Sequence, residues 1–280
     1  MLKLLVIDKC VFQQVQESLL IEFVKHHNVV LPHVLLVECL MSDDLNGSKP
    51  AKDRMVLLSR IEKVVKSGAQ VGYSSSRLFQ EERRTLSQVH SVIDLEGTRQ
   101  VRDSILSVDG EYAQSEAAVC RDTFEPLVRF LFDIGTTYYR NVEKNNQAGN
   151  FRREFQANTL IERLSKWLRV VEQMKDAILE NSFGDISCHI TESWFAWHMV
   201  ELYWVWGIEW ACKRAQSGIM IEDRDISNDL FDIEYVAYLS RADGILTQDK
   251  KLVIPLAQAA FPDKDVFFDL DEVPDEYACR

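Results

Sequence analysis

Residues 2–8 read LKLLVID, a short apolar run that ends in an acid, Asp8. A short run without alternation is typical of a central strand of a parallel sheet, which is covered on both faces. Near the other end of the chain residues 244–249 read GILTQD, where a brief strand over 245–247 is followed by Asp249. Ligands bind beyond the carboxyl ends of the strands in open α/β sheets, so both acids are predicted to lie at the functional edge.

The elements after the first strand alternate, and this order predicts an α/β fold with a parallel sheet flanked by helices. In chain order the patterns predict a helix over 11–27, a strand over 29–31, a helix over 33–41 after Pro32, a loop over 43–50, a helix over 52–66 closed by Gly68, and a strand over 69–73 with Ser74 capping the next helix.

From residue 78 to residue 217 the spacing is helical, with breaks at Gly110, Gly135, 145–150 and Gly184. After residue 219 the α/β pattern returns, with a helix capped by Asn228 and Asp229 and ended by Gly244, a helix over 252–261 and a strand over 266–268. We therefore predict a sheet domain built from both chain ends, residues 1–77 and 218–280, around a large all-helical insertion over 78–217.

The amino-acid composition narrows the classes of function that the chain can have. The 280 residues include 44 acidic and 32 basic side chains, a formal charge of −12. This balance argues against a protein that coats nucleic acid, since such binding relies on Lys and Arg, but it leaves room for an enzyme. Six scattered cysteines and the absence of a leader or a membrane span predict reduced thiols and a cytoplasmic location.

Five carboxylates are the candidate site. Glu38 lies in a helix among apolar neighbours, with no cation near it in the sequence, so a metal ion is a natural compensator. Asp232 is predicted in the first turn of the helix that leads to the strand before Asp249, and Asp229 lies one turn earlier. Together with Asp8 these oxygen ligands suit Mg²⁺ or Mn²⁺, which can activate water against a phosphodiester.

Three segments resemble the PIN-like (PilT N-terminus-type) nuclease family over roughly residues 1–45 and 225–270. They are LLVIDKCVF at 4–12, LPHVLLVECL at 31–40 and NDLFDIEYVAYLSRADGILTQDKKL at 228–252. The resemblance implies that Asp8, Glu38, Asp232 and Asp249 hold the metal and that the Thr247 hydroxyl supports the site. It also implies a metal-dependent nuclease, with RNA favoured over DNA as substrate.

The chain departs from the family after its first acid, where a small hydroxyl residue and then Asn or Ser are usual. Here Lys9 and Cys10 follow Asp8. Lys9 is expected either to pair with a phosphate or to neutralise part of the charge on Asp8. The second of these favours another function, a catalytically weak PIN-like module that binds a protein or a nucleic acid.

Each acid also has an ordinary structural explanation. Asp8 and Asp249 can cap turns, Glu38 can point to solvent, and Asp229 and Asp232 can be acids favoured at a helix start. If all of these hold, the chain is a helical scaffold without a site. The tryptophan-rich stretch 194–210 is predicted to pack in the core or against another subunit or partner, rather than to stack on bases.

Overall fold

The computed structural model describes residues 2–46, 51–104, 156–217 and 223–279, and five positions between 133 and 144. Its strands form one six-stranded sheet in the order β4-β3-β2-β1-β5-β6. All neighbours are parallel except β3 and β4. The strands are β1 (Leu5–Ile7), β2 (Val29–Leu31), β3 (Gln70–Gly72), β4 (Ile93–Asp94), β5 (Gly244–Leu246) and β6 (Asp265–Phe267).

Helices surround this sheet. In the described ranges they are α1 (Lys9–Gln14), α2 (Glu17–His26), α3 (His33–Asn46), α4 (Ala51–Lys66), α5 (Ser75–Thr85), α6 (Leu95–Ser104), α7 (Leu160–Gln173), α8 (Lys175–Phe183), α9 (Phe195–Ser217), α10 (Asp223–Ala237) and α11 (Val253–Ala260). The α/β class predicted from the apolar runs is therefore confirmed.

Strand β1 lies in the middle of the sheet, between β2 and β5. Its three residues are wholly buried, as are Val30 and Ile245 on the strands beside it. The register aligns Val6 with both of these residues, so the two ends of the chain meet here. Because the strands are parallel, the residues that follow β1 and β5 emerge at the same edge.

The helices of the first part differ from the prediction in two places. The helix predicted over 11–27 is two helices, α1 and α2, with Val15 and Gln16 in extended conformations between them. No glycine or proline marks this break. The loop predicted over 43–50 is wrong for its first half, because α3 continues to Asn46, and residues 47–50 lie outside the described part. The chain reaches no strong helix breaker before Gly47.

The predicted all-helical character of residues 78–217 is wrong at Ile93 and Asp94. These residues form β4, which pairs antiparallel with β3, and α6 then packs on β3 and α4. Two residues are too few to show a strand period in the sequence. The sheet unit thus continues past residue 77, while the division of the chain at residues 77 and 217 stays a prediction.

The helices after residue 155 pack on one another and on the second half of the sheet unit. Helix α7 lies against α9 and α11, and α9 also contacts α5 and α10. A buried ion pair links α7 to α9, with Arg163 Nη2 2.7 Å from Glu209 Oε1 and the Trp167 indole donating to Glu209 Oε2 at 3.0 Å. The predicted breaks at Gly110, Gly135 and 145–150 lie outside the described residues.

Tryptophans 194, 197 and 206 are at most 2% exposed, which confirms that this stretch packs in the core. Helices α7 and α8 are separated at Met174, and α8 ends at Gly184, a predicted break, whose φ is +54°. No helix in the described ranges combines the length and apolar composition needed to cross a bilayer.

Helix α10 begins at Asp223, earlier than predicted. Asp229 is therefore not its cap, and Asp232 is not in its first turn; both lie inside the helix, one turn apart. The favourable interaction of acids with a helix start does not explain either of them. The strand predicted over 245–247 is present as β5 but lies one residue earlier, over Gly244–Leu246, and the Thr247 amide still donates to Phe267 O at 3.0 Å.

Candidate functional site

Asp8 lies at the end of β1 and is only 3% exposed. Its Oδ2 accepts hydrogen bonds from Thr247 Oγ1 at 2.5 Å and from Cys10 Sγ at 2.9 Å. Its Oδ1 accepts from the Cys10 amide at 3.4 Å, so Asp8 also caps α1 as the simpler interpretation expected. Burial raises the pKa of Asp8, and the hydrogen bonds from Cys10 and Thr247 offset part of this effect.

Thr247 joins the two chain ends. Its wholly buried side chain donates to Asp8 and accepts from the Asp249 amide at 3.1 Å. Asp249 Oδ1 in turn accepts from the amides of Lys251 and Leu252 at 2.6 and 3.2 Å. Asp249 therefore shapes the turn before α11, and no hydrogen bond to its Oδ2 occurs in the described part of the chain.

Glu38 has a protein cation as its partner. Lys9 Nζ lies 2.6 Å from Glu38 Oε1, and the two side chains are 20% and 12% exposed. Tyr235 OH donates to Glu38 Oε2 at 3.2 Å. Lys9 thus binds Glu38 directly, which differs from both expectations for it, pairing with a phosphate or neutralising Asp8. It supplies the compensating charge that the sequence assigned to a metal ion.

Asp232 is partly buried, and no hydrogen-bond donor among the described residues contacts its carboxylate. Burial raises its pKa well above the ordinary value, and the negative charges of Asp8, Glu38, Asp249 and Asp229 raise it further. The pKa of Asp232 thus responds to carboxylates from both ends of the chain. These five side chains, which we call the acidic cluster, share one electrostatic environment.

Two tryptophans of α9 hold Asp229. Its Oδ2 accepts from Trp206 Nε1 at 2.7 Å and from Trp210 Nε1 at 2.6 Å. Burial raises the pKa of Asp229, and the two indole hydrogen bonds offset part of that rise. The tryptophan-rich helix thereby fixes one member of the acidic cluster.

Asp8, Thr247 and Asp249 follow the adjacent strands β1 and β5 at one edge of the sheet, and Lys9 links Glu38 to that edge, but the acids do not form a finished coordination sphere. In the described ranges no group of three or more His, Cys, Asp or Glu side chains is arranged to hold a metal ion. Like charges repel when no cation lies between them, and several of these oxygens are held by protein donors. By chemistry alone, carboxylate oxygens are the donors that a hard dication prefers, and Asp232 and Asp249 Oδ2 accept no hydrogen bond from the described residues.

No family model matches the chain, and no curated protein or solved structure matches it either. The PIN-like resemblance thus rests on the quoted motifs.

Sequence reasoning missed four residues of this site. Cys10 was noted only as a departure from the family, yet its thiol bridges Asp8 and the Gln248 amide, which donates to Cys10 Sγ at 3.0 Å. Burial raises the Cys10 pKa to about 12, so the group stays a thiol that donates. Tyr235, Trp206 and Trp210 carried no signal, because each acts through a partner distant in sequence.

Proposed function

We propose that the protein is a divalent-metal-dependent nuclease that hydrolyses phosphodiester bonds at the acidic cluster, with RNA favoured as substrate. The observation that carries the proposal is Asp232, a partly buried carboxylate without a donor among the described residues, whose pKa is raised well above its ordinary value by burial and by the charges of four further acids. Uncompensated buried carboxylates are costly, and a dication removes that cost. The preference for RNA follows from the PIN-like resemblance.

Asp8, Asp232 and Asp249 are the residues that would hold Mg²⁺ or Mn²⁺. The chemistry that such a cation supplies, when bound, is activation of the attacking water and stabilisation of the leaving oxygen. The protein's own part is to fix the ligands. Thr247 and Cys10 orient Asp8 through Oδ2, and such partners of a ligand strongly affect metal affinity.

The negative charge of the chain affects how a substrate binds. The chain carries a formal charge of −12, so a polyanionic substrate is not gathered by general attraction. Binding therefore depends on the bound cation and on local contacts near the sheet edge. This predicts that tight substrate binding, as well as cleavage, requires the dication.

A second candidate is favoured by one observation, the ion pair of Lys9 with Glu38. If that pair keeps the site from binding metal, the protein is a catalytically weak PIN-like module that binds a nucleic acid, a protein or a second copy of itself through its helical region. The indole rings of Trp194, Trp197 and Trp206 are in the chain's own core, so such a contact would use other side chains of that region.

Cleavage assays separate these candidates. End-labelled single-stranded RNA and DNA are incubated with the purified chain and Mn²⁺, Mg²⁺ or EDTA. We expect RNA cleavage with Mn²⁺, none with EDTA, and a loss of at least about 100-fold in Asp232→Asn, since even partners of metal ligands cost 10–100-fold. Asp271→Asn, which removes an exposed acid of the same charge, should cleave as the wild type does.

Thermal unfolding checks that the Asp232 variant is folded. Burial and four like charges oppose the ionisation of the Asp232 carboxyl group, and asparagine replaces this group with a neutral amide. In EDTA, Asp232→Asn should therefore melt at a higher temperature than the wild type. Cleavage that persists in EDTA rejects a metal-dependent reaction, and cleavage that persists in a well-folded Asp232→Asn rejects the acidic cluster as its site. Metal-dependent stabilisation of the wild type without any cleavage favours the weak module.

A further inference from the structure

A groove of about 690 Å³ lies where β3, β4 and α5 meet, at the β4 end of the sheet. Its volume is in the range of sites that bind small molecules. Leu78, Ile93 and Leu95 form apolar walls of this groove. Leu95 is 71% exposed, the highest value among the large apolar side chains of the described ranges. The groove therefore leaves apolar surface in water that a ligand would cover.

Gln70, the first residue of β3, also lines the groove. Its Oε1 is shielded from water and accepts no hydrogen bond within the described part of the chain, and its Nε2 donates none there. A buried acceptor without a donor is unfavourable. The last side-chain torsion of glutamine has a broad range, so rotation can turn either polar atom toward the groove. A ligand with a donor beside an acceptor would satisfy this amide.

Arg77 gives the groove a flat surface. Its guanidinium carbon lies 4.5 Å from the centre of the Tyr73 ring, and both side chains line the groove. The Arg77 side chain is 59% exposed, so its guanidinium is not enclosed by the protein. Guanidinium planes stack on nucleobases, and a base placed here would extend the stack that Tyr73 begins.

The charges around Arg77 disfavour an anion as the ligand. Arg77 Nη1 donates to Asp94 Oδ2 at 3.3 Å, and the Glu81 carboxylate lines the same groove. The formal charge of the whole chain is −12. The positive charge of Arg77 is therefore balanced by nearby acids, and a ligand is recognised through a flat ring and its polar edge instead of a phosphate group.

We propose that this groove binds an adenine base, with its ring stacked on the Arg77 guanidinium and its edge paired with the Gln70 amide. Glutamine pairs with adenine through two hydrogen bonds, because its oxygen accepts from the 6-amino group and its nitrogen donates to N7. A purine also covers more of the apolar walls than a pyrimidine does. The base belongs to a free nucleoside or nucleotide, or to an RNA strand. Its binding requires no metal ion and does not depend on the proposed function.

Equilibrium dialysis of the full chain against labelled adenosine, in EDTA, tests this site. We expect saturable binding of one adenosine per chain. AMP should bind no more tightly, since the groove does not attract phosphate. Purine riboside, which lacks the 6-amino group, should bind about tenfold more weakly, within the range for loss of a paired base edge. Uridine should also bind at least about tenfold more weakly than adenosine, since it offers a smaller ring.

Two variants locate the site. Gln70→Met keeps the length of the side chain and removes both polar atoms, so it should bind adenosine about tenfold more weakly and no better than purine riboside. Arg77→Met removes the stacking plane and should also weaken binding about tenfold. Arg99→Met is the matched control, because Arg99 is an exposed arginine paired with Glu96 that does not line the groove, and it should bind as the wild type does.

Thermal unfolding checks the folding of the variants. Gln70→Met removes an acceptor without a donor, so its melting temperature should not fall below that of the wild type. If Gln70→Met nevertheless fails to fold, Arg77→Met still tests the groove, because it changes an exposed side chain. Purine riboside tests the pairing with Gln70 in the wild type itself.

A hexamer of adenylate identifies the source of the base. If the hexamer binds more tightly than adenosine and loses affinity in Gln70→Met, the inference holds and the source is an RNA strand. If adenosine binds as tightly as the hexamer or more tightly, the inference holds and the source is a free nucleoside or nucleotide. The inference is overturned if neither ligand binds, if adenosine binds no better than purine riboside or uridine, or if the variants bind adenosine as the wild type does.

Discussion

Glu234 is a carboxyl group with a single hydrogen bond among the described residues, which it accepts from Ser75 Oγ at 2.7 Å. It lies two residues after Asp232 on α10, and burial raises its pKa from 4.5 to about 7. The folded chain therefore binds a proton at Glu234 between these pH values that the unfolded chain releases. Stability from this group is present below pH 4.5 and is lost as the pH rises to 7.

We predict that Glu234→Gln flattens the dependence of stability on pH. The amide oxygen can still accept from Ser75, but the group no longer titrates. The shift from 4.5 to about 7 corresponds to about 3 kcal/mol of unfolding free energy. Urea unfolding of the wild type and of Glu234→Gln at pH 5 and pH 8 measures this difference in free energy. If both proteins lose the same stability between pH 5 and pH 8, Glu234 does not have the raised pKa assigned to it. The pH dependence of stability that remains in Glu234→Gln comes from the acidic cluster.

At the residue scale, sequence reasoning found the acids whose positions follow from topology. Asp8 and Asp249 follow apolar runs, and parallel strands end at the same edge, so their meeting was predictable. The Lys9 partner was not, because α1 starts directly after β1 and turns the lysine toward α3. The same holds for Cys10, whose thiol depends on a rotamer that no spacing rule gives.

Helix α9 acts on the site through two indole groups that both bind Asp229 Oδ2. We predict that the double variant Trp206→Phe/Trp210→Phe loses stability through lost packing and also lowers RNA cleavage per folded molecule about tenfold, the lower end of the range for loss of groups that orient the acids of a metal site. Phenylalanine keeps an aromatic ring and removes the N–H donor. The measurement is the initial rate of cleavage with Mn²⁺.

Trp197→Phe is the matched control, since Trp197 lies on the same helix and is as deeply buried but makes no hydrogen bond to Asp229. It should lose stability through lost packing and keep its cleavage rate per folded molecule. Equal rates in the double variant and in Trp197→Phe would show that Asp229 does not depend on the indoles for its function.

At the element scale, the strands of the sheet centre were predicted closely because they are continuous apolar runs. The strand predicted over 29–31 matches β2 residue for residue. Helix ends were harder. Neither the break after α1 nor the start of α10 carries glycine or proline, so tertiary packing decides them. The early start of α10 changed Asp232 from a helix-start acid to a residue inside the helix.

Glu82 is wholly buried and contacts three parts of the chain. From α5 its carboxylate accepts from the amides of Phe195 and Ala196 at 2.8 and 3.0 Å, at the start of α9. It also pairs with Arg241 at 3.1 Å, just before β5. One side chain thus connects the first part of the chain, the helical part and the second half of the sheet.

We predict that Glu82→Gln destabilises the protein by about 3–5 kcal/mol, the cost of removing one partner from a buried ion pair. The unfolding midpoint in urea measures this loss. Glu81→Gln, one residue earlier on α5, breaks the exposed pair with Arg84 and should leave the midpoint unchanged. If both variants shift the midpoint alike, Glu82 does not carry the connection assigned to it.

At this scale, assembly of the sheet from both chain ends was predictable from two apolar runs that each precede an acid. The extent of the sheet was not, since β4 is two residues long and lies where helical spacing prevails. The contacts of Glu82 could not be predicted from the sequence either, because an acid in a helix beside two arginines is typical of a solvated face.

The position of β1 between β2 and β5 has a consequence for biosynthesis. During synthesis residues 5–7 are made long before residue 246, which completes β5, their second neighbour. At 5–20 residues per second the interval is on the order of tens of seconds, during which one side of this apolar strand has no partner. A nascent chain that has not reached residue 249 lacks Thr247 and Asp249, so under the proposed function its site is incomplete.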